Sequence, residues 1–205
     1  MTISQNIDRA DELLFKTTLV DRRWFSMASE VFENLTVTDR RHLESHIQHR
    51  YHEDTGLKDG YSRLACYLMY EMNELATAHQ LFDKDSTQKR QSWYQQLKFA
   101  ECIAKQGDID SAQAKIINIY GAYPQIQNGH ASIAWSVLWE NGEYQNLARW
   151  MEIDLEQNRL SPGWLINLAR VYARLNNLAV SMEHVEQAYE KDASLMDGHA
   201  SIAWS

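Results

Sequence analysis

Gly129-His130-Ala131-Ser132-Ile133-Ala134-Trp135-Ser136 returns unchanged as Gly198-His199-Ala200-Ser201-Ile202-Ala203-Trp204-Ser205. The copies stand 69 residues apart, about twice the roughly 34-residue period of a stacked helix-turn-helix repeat. Such a period calls for a further copy midway, and Gly163-Trp164-Leu165-Ile166-Asn167-Leu168-Ala169-Arg170-Val171-Tyr172 stands there. Working outward, a large apolar residue followed by alanine recurs as Leu64-Ala65, Phe99-Ala100, Ile133-Ala134, Leu168-Ala169 and Ile202-Ala203, at intervals of 35, 34, 35 and 34. Small residues at a fixed register let paired helices approach closely, while large ones at i, i+3, i+4 and i+7 form the buried stripe. Turn residues fall where such pairs must reverse, at Gly107-Asp108, Asn141-Gly142-Glu143 and Asn176-Asn177. Gln106-Gly107-Asp108-Ile109-Asp110 reads as a turn leading to a helix that starts near Ser111.

Composition agrees with helices. The 205 residues include only two prolines, Pro124 and Pro162, and eight glycines, too few breakers for many short strands. A hydrophobic share of 44% is enough for a packed core and excludes disorder. The net charge is -8, and Arg22-Arg23 and Arg40-Arg41 are isolated basic pairs among acids. A nucleic-acid binder draws most of its affinity from a basic patch, so nucleic acid is not the expected partner. Two cysteines, Cys66 and Cys102, are too few for a disulfide scaffold of this size. The first residues lack the layout of a signal peptide, and no stretch approaches the ~18 apolar residues of a membrane span. The expectation is a soluble protein of the reducing cytoplasm.

The repeated pattern resembles the tetratricopeptide repeat (TPR) family, whose signature runs from an apolar residue through Leu-Gly, Tyr and Ala-x3-Phe to Pro. The unit from Pro162 fits best, with Leu165, Leu168, Ala169 and Tyr172 in its first helix and Ser181, Val185 and Ala188 in its second. The family's glycine is alanine throughout. The resemblance covers residues 58–205, in units of about 58–92, 93–126, 127–161 and 162–195 with a partial fifth at 196–205. It implies an all-α, right-handed superhelical array of helix pairs. Residues 1–57 do not join it. They read as helices near 4–17, 22–35 and 39–53, the last capped by Asp39, forming an N-terminal cap or small bundle that covers an apolar end of the array. The chain stops at Ser205, inside what the period makes the first helix of a fifth unit. Either the sequence is a piece of a longer protein, or this end, with Ile202 and Trp204, docks on a partner or a second copy.

Family resemblance also implies where a ligand sits. First helices line the concave groove, and the positions two and six after each anchor look into it. Those are Cys66 and Tyr70, Glu101 and Lys105, Trp135 and Trp139, Arg170 and Arg174, and finally Trp204. Tryptophan and arginine are the residues most enriched at binding hot spots. Trp135 and Trp139 are i,i+4 and share a helix face, as do Arg170 and Arg174. Such a groove suits a peptide with an aromatic or apolar anchor and a carboxylate. The alternative is that the arginines stack on the tryptophans within the protein. The lysine and asparagine pattern of the family's chaperone-tail clamp is not reproduced.

One further cluster weighs a metal against a solvated face. On the helix near 39–53, His42, His46, His49 and Glu53 fall on one stripe beside the apolar stripe Leu43, Ile47 and Tyr51. Imidazoles a turn apart with a carboxylate suit zinc. No HExxH or CxxC motif accompanies them, so a solvated face is the expectation. No nucleophile elbow, phosphate loop or dinucleotide fingerprint is present. Glu140, Glu143, Asp154 and Glu156 read as carboxylates on solvated helix faces. The expected function is a protein- or peptide-binding scaffold without catalysis or cofactor. The competing expectation is the non-catalytic, substrate-positioning or assembly region of a larger enzyme such as a bacterial glycosyltransferase.

Overall fold

A computed structural model describes residues 7–16, 20–32 and 35–195. The fold is all-α: α1 (Ile7–Asp11) runs into a π-helical turn (Glu12–Lys16), followed by α2 (Arg22–Phe32), α3 (Val37–Glu53), α4 (Gly60–Glu71), α5 (Leu75–Thr87), α6 (Trp93–Lys105), α7 (Ile109–Ala122), α8 (Gly129–Leu138), α9 (Tyr144–Glu156), α10 (Pro162–Arg174) and α11 (Leu178–Lys191). Residues 1–108 and 109–205 form two compact units. No helix among the described residues is long and apolar enough to cross a membrane.

Each anchor pair in the described range is core. Leu64, Ala65, Ala100, Leu168 and Ala169 have no exposed surface, and Phe99, Ile133 and Ala134 are buried. The alanines permit the close approach expected of them: Ser181 Oγ on α11 donates to the Ala169 carbonyl on α10 at 2.8 Å. The reversals fall at the expected turns, with left-handed backbone at Gly107, Gly142 and Asn176. Local starts differ from expectation in two places. Helix α3 is capped by Thr36, whose hydroxyl accepts from the Asp39 N–H at 3.1 Å while Asp39 Oδ2 accepts from the Thr36 N–H. Asp39 is therefore the third helical residue of a capping box, and the cap lies three residues earlier than expected. Helix α7 likewise begins at Ile109, two residues before Ser111.

In the first unit α4 is buried at every residue from Gly60 to Met69, because partners pack on both of its sides. Helix α5 pairs with it on one side, and the N-terminal segment covers the other. Phe32 stands edge-on to Tyr67 (5.1 Å) and Phe25 edge-on to Tyr70 (5.2 Å). The Tyr67 hydroxyl donates to the Phe32 carbonyl (3.2 Å), and Arg63 donates to the Leu13 carbonyl (3.1 Å). The helices before residue 57 thus lie within the same compact unit as α4–α6, partly across the face that the family pattern assigns to a groove.

A hydrogen-bonded joint recurs in both units at a spacing of 69 residues. In the second unit the Tyr120 hydroxyl accepts from the Gly129 N–H and donates to Asp154, both at 2.6 Å. The other Asp154 oxygen accepts from the Ala131 N–H at 2.9 Å. The Arg159 guanidinium lies 4.2 Å over the Tyr120 ring and donates to the carbonyls of Pro124 (2.8 Å) and Ile126 (3.0 Å). Asn128, left-handed at φ 60°, donates its N–H to the Arg159 carbonyl (2.9 Å) and accepts from the Ser161 N–H (2.8 Å). In the first unit Tyr51, Gly60, Asp85, Ser62, Arg90, Leu57, Asp59 and Ser92 repeat these contacts, with Arg90 also 4.2 Å over the Tyr51 ring. Asp and Asn at the left-handed position tolerate that conformation because their short side chains bond locally. Asp154, expected on a solvated face, has no exposed surface: a buried carboxylate needs donors, and the joint supplies three, counting His130 Nδ1 at 2.9 Å.

Candidate binding face

The second unit's joint sets two helix starts side by side. Asn128 caps α8, and its side chain holds Ser161, the residue before Pro162 at the first turn of α10. From those fixed starts α8 carries Trp135 and Trp139 one turn apart, and α10 carries Arg170 and Arg174 one turn apart. His130, Ile133 and Ala134 face the core, so the two tryptophans fall on the other side of α8. Their rings stack in parallel, 4.2 Å between centroids and 11° between planes. Trp164 meets Trp135 edge-on at 6.0 Å, and Tyr144 meets Trp139 at 5.3 Å.

Both arginines sit over this stack. The Arg170 guanidinium lies 5.5 Å from the Trp135 ring and 5.2 Å from Trp139, and Arg174 lies 5.9 Å from Trp139. The internal stacking weighed from the sequence is therefore present, at about 0.5–1 kcal/mol per partly exposed contact. It does not consume the face. Trp135, Trp139 and Trp164 stay half-buried and Arg174 exposed, and among the described residues Arg174 has no carboxylate within ion-pair distance. A ring stack with cationic donors above it offers apolar area and bidentate carboxylate recognition together.

The equivalent face of the first unit is closed. Tyr70 donates to Glu101 at 2.5 Å, and Lys98 reaches the Tyr70 hydroxyl (2.7 Å) and Glu101 (3.0 Å). Lys105 stands 3.9 Å from the other Glu101 oxygen, an ion pair too long for a hydrogen bond. Burial works against the Lys98 charge, but Glu101 together with Tyr94 and Cys66 outweighs it and holds its pKa above the ordinary value. Burial, then the Glu101 charge, pushes the Tyr70 phenol far up. Cys66 is fully buried against Gln95, and burial raises its thiol well above the usual range. Phe25 covers Tyr70, and Tyr94 donates to the Val20 carbonyl at 2.9 Å. The structure thus brings Tyr70, Glu101 and Lys105 together, but beneath the chain's own N-terminal segment. The apolar set Leu13, Val20, Trp24, Phe25 and Phe32, which the repeat does not absorb, is the sequence signal for that cover.

The remaining candidates are quickly placed. Trp204, with Ile202, lies outside the described residues. On α3, Leu43, Ile47 and Tyr51 are buried as their stripe requires. His46 meets Asp11 at 3.0 Å, His49 meets Glu53 at 3.3 Å, and His42 is exposed. No group of three or more histidine, cysteine or acidic side chains is gathered for a metal among the described residues. The residues that sequence reasoning missed are Trp164 and Tyr144, which complete the aromatic cluster, and the joint residues Tyr120 and Arg159, whose counterparts 69 residues earlier, Tyr51 and Arg90, were the available signal. No protein-family model and no curated protein matches the chain.

Proposed function

We propose that this chain is a non-catalytic helical-repeat protein of the tetratricopeptide type, its helix pairs stacked as a right-handed array. It binds a protein or peptide in the cytoplasm through Trp135, Trp139, Arg170 and Arg174. The observation that carries the reading is the half-exposed Trp135–Trp139 stack with two guanidinium groups above it. Aromatic and arginine side chains in one cluster are what binding hot spots are made of. A face that served only packing would bury those rings.

The test is selection of peptides from a displayed random library on the wild-type chain, with counter-selection on Trp139→Ala and Arg174→Glu. Arg174 is exposed, so its substitution leaves the fold intact, as melting by circular dichroism verifies. Enriched peptides should carry an aromatic or apolar residue with acidic neighbours and lose binding to both variants. An absence of enrichment, or enrichment insensitive to both substitutions, would sink the proposal.

A further inference from the structure

We infer that the Trp135–Trp139–Arg170–Arg174 face takes an acidic amphipathic helix contributed by a partner protein. This rests on the binding reading above and adds the shape and sign of the occupant. Within this one chain the same kind of surface is already occupied once. At positions 69 residues earlier, Arg63, Tyr67 and Tyr70 on α4 and Tyr94 on α6 hold Leu13, Phe32, Phe25 and Val20 respectively. Phe25 and Phe32 are seven residues apart in α2, two helical turns, so a single stripe of an amphipathic helix supplies both ring contacts.

The second unit keeps the frame and changes the occupant. Arg63, Tyr67 and Tyr94 become Ser132, Ser136 and Gly163. A methyl group added at Gly163 would meet nothing within 4 Å. Bulk is therefore removed from the flanks while Tyr70 is replaced by the larger anchor surface of Trp139. The net charge at the three positions facing it rises from +1 to +2. Lys98, Glu101 and Lys105 become Asn167, Arg170 and Arg174, so the one carboxylate disappears and only cations remain. Arg174 is exposed with no carboxylate within ion-pair distance among the described residues, so an occupant that brings a carboxylate meets it. The chain's own α2 from a second copy is the wrong guest, because it opens with Arg22 and Arg23 and has no acid in its first turn.

Full-length protein is titrated, by fluorescence anisotropy, into three dye-labelled synthetic peptides of about 18 residues, long enough to reach helical conformation on binding. The first has tryptophan and leucine at i, i+3, i+4 and i+7 flanked by glutamates; the second has lysine for every glutamate; the third has a central proline pair. The acidic helix should bind about tenfold or more tighter than either control, since charge reversal and helix breaking each remove an essential feature. Gly163→Glu and Gly163→Lys then report the sign on the protein side. Both add a side chain to an open helix position, so both should fold at least as well as wild type, and the acid suits the second residue of α10. Gly163→Glu should weaken the acidic helix several-fold and Gly163→Lys tighten it, as expected for charges placed beside a bound charge. Equal affinity for the lysine peptide, or no response to the Gly163 pair, overturns the sign of the occupant. Equal affinity for the proline peptide overturns the helix while leaving peptide binding in place. Tighter binding of a peptide comprising residues 20–32 makes the occupant a second copy and overturns the inference. Silence from all the peptides overturns it too, and the library selection then decides separately whether the face binds anything.

Discussion

Replacing Tyr120 by phenylalanine removes one oxygen from a site where that oxygen does two jobs. It donates to Asp154, which has no exposed surface, and it accepts from the buried Gly129 N–H, each at 2.6 Å. Losing a donor to a buried carboxylate costs about 1.5–3 kcal/mol, and orphaning a buried backbone N–H costs about 1–3 kcal/mol. Asp154 keeps Ala131 N–H and His130, so the lower part of the first range applies. The expected loss is about 3–5 kcal/mol, a large share of the ~5–15 kcal/mol by which a domain is stable. Urea unfolding followed by circular dichroism measures it. Tyr123→Phe, at the residue that follows α7 and without a side-chain hydrogen bond among the described residues, is the control and should change stability by less than about 0.5 kcal/mol. Tyr51→Phe should cost nearly as much as Tyr120→Phe, because Gly60 and Asp85 hold its hydroxyl at 2.7 Å in the same way. Hydrogen exchange should show lost protection at the Gly129 amide. If Tyr120→Phe and Tyr123→Phe unfold within about 1 kcal/mol of each other, the joint is not what fixes the starts of α8 and α10.

The remaining predictions concern a titration and two glycines. Burial pushes Asp85 up to about 6 from 3.8, so its stabilising contribution is complete below pH 3.8 and is lost as pH rises through about 6. At about 1.4 kcal/mol for each pH unit that is about 3 kcal/mol; the stability difference between wild type and Asp85→Asn should shrink by that order from pH 4 to 7, and a flat difference would mean that Asp85 ionises normally. Gly129→Ala places a methyl group 2.7 Å from the Tyr120 hydroxyl and should destabilise by about 1–3 kcal/mol. Gly163→Ala meets nothing and should stabilise by about 0.5–1 kcal/mol; the opposite order in thermal melts would refute the assignment of Gly129 to a close backbone approach.

The legible part of the fold was the periodic part. Alanine beside a large apolar residue every 34 or 35 positions marks where helices cross, and Gly107, Gly142 and Asn176 mark where they reverse. The i,i+4 spacing likewise placed Trp135 on Trp139, since helix geometry alone decides it. What escaped was non-periodic. Tyr120, Asp154 and Arg159 are separated by turns and share no stripe; only Asp154 was singled out, as a carboxylate on a solvated face, and nothing local pointed to its meeting with a phenol and a guanidinium. The cover over Tyr70 and Glu101 also escaped, because it joins segments about 45 residues apart through ring contacts that no local pattern encodes. Thr36 displaced Asp39 as the cap of α3 for a simpler reason: both are cap formers, and only the reciprocal bonds of the box distinguish them.

The two units, compared position by position within the one chain, separate scaffold from surface. Tyr51, Gly60, Ala65, Asp85, Arg90, Ser92 and Ala100 find the same residue 69 positions later. Every one of them is a joint or a helix crossing, where a buried donor, acceptor or methyl group has a single partner to satisfy. At the four face positions the outcome is reversed: Cys66, Tyr70, Glu101 and Lys105 become Trp135, Trp139, Arg170 and Arg174. The small size of Cys66 and the charge sign of Glu101 are lost there, while Lys105 keeps its charge as Arg174, although the hydrogen-bonded joint beneath recurs. Packing demands explain the retained set, since those residues answer to neighbours that also recur. They do not explain the changed set. In the first unit the four face residues answer to Phe25 and to the polar cluster around Lys98. In the second they answer to one another through stacking, and beyond that stack Arg174 extends its charge into solvent. The divergence of the face on a recurring joint is thus the internal argument that favours the proposed binding role.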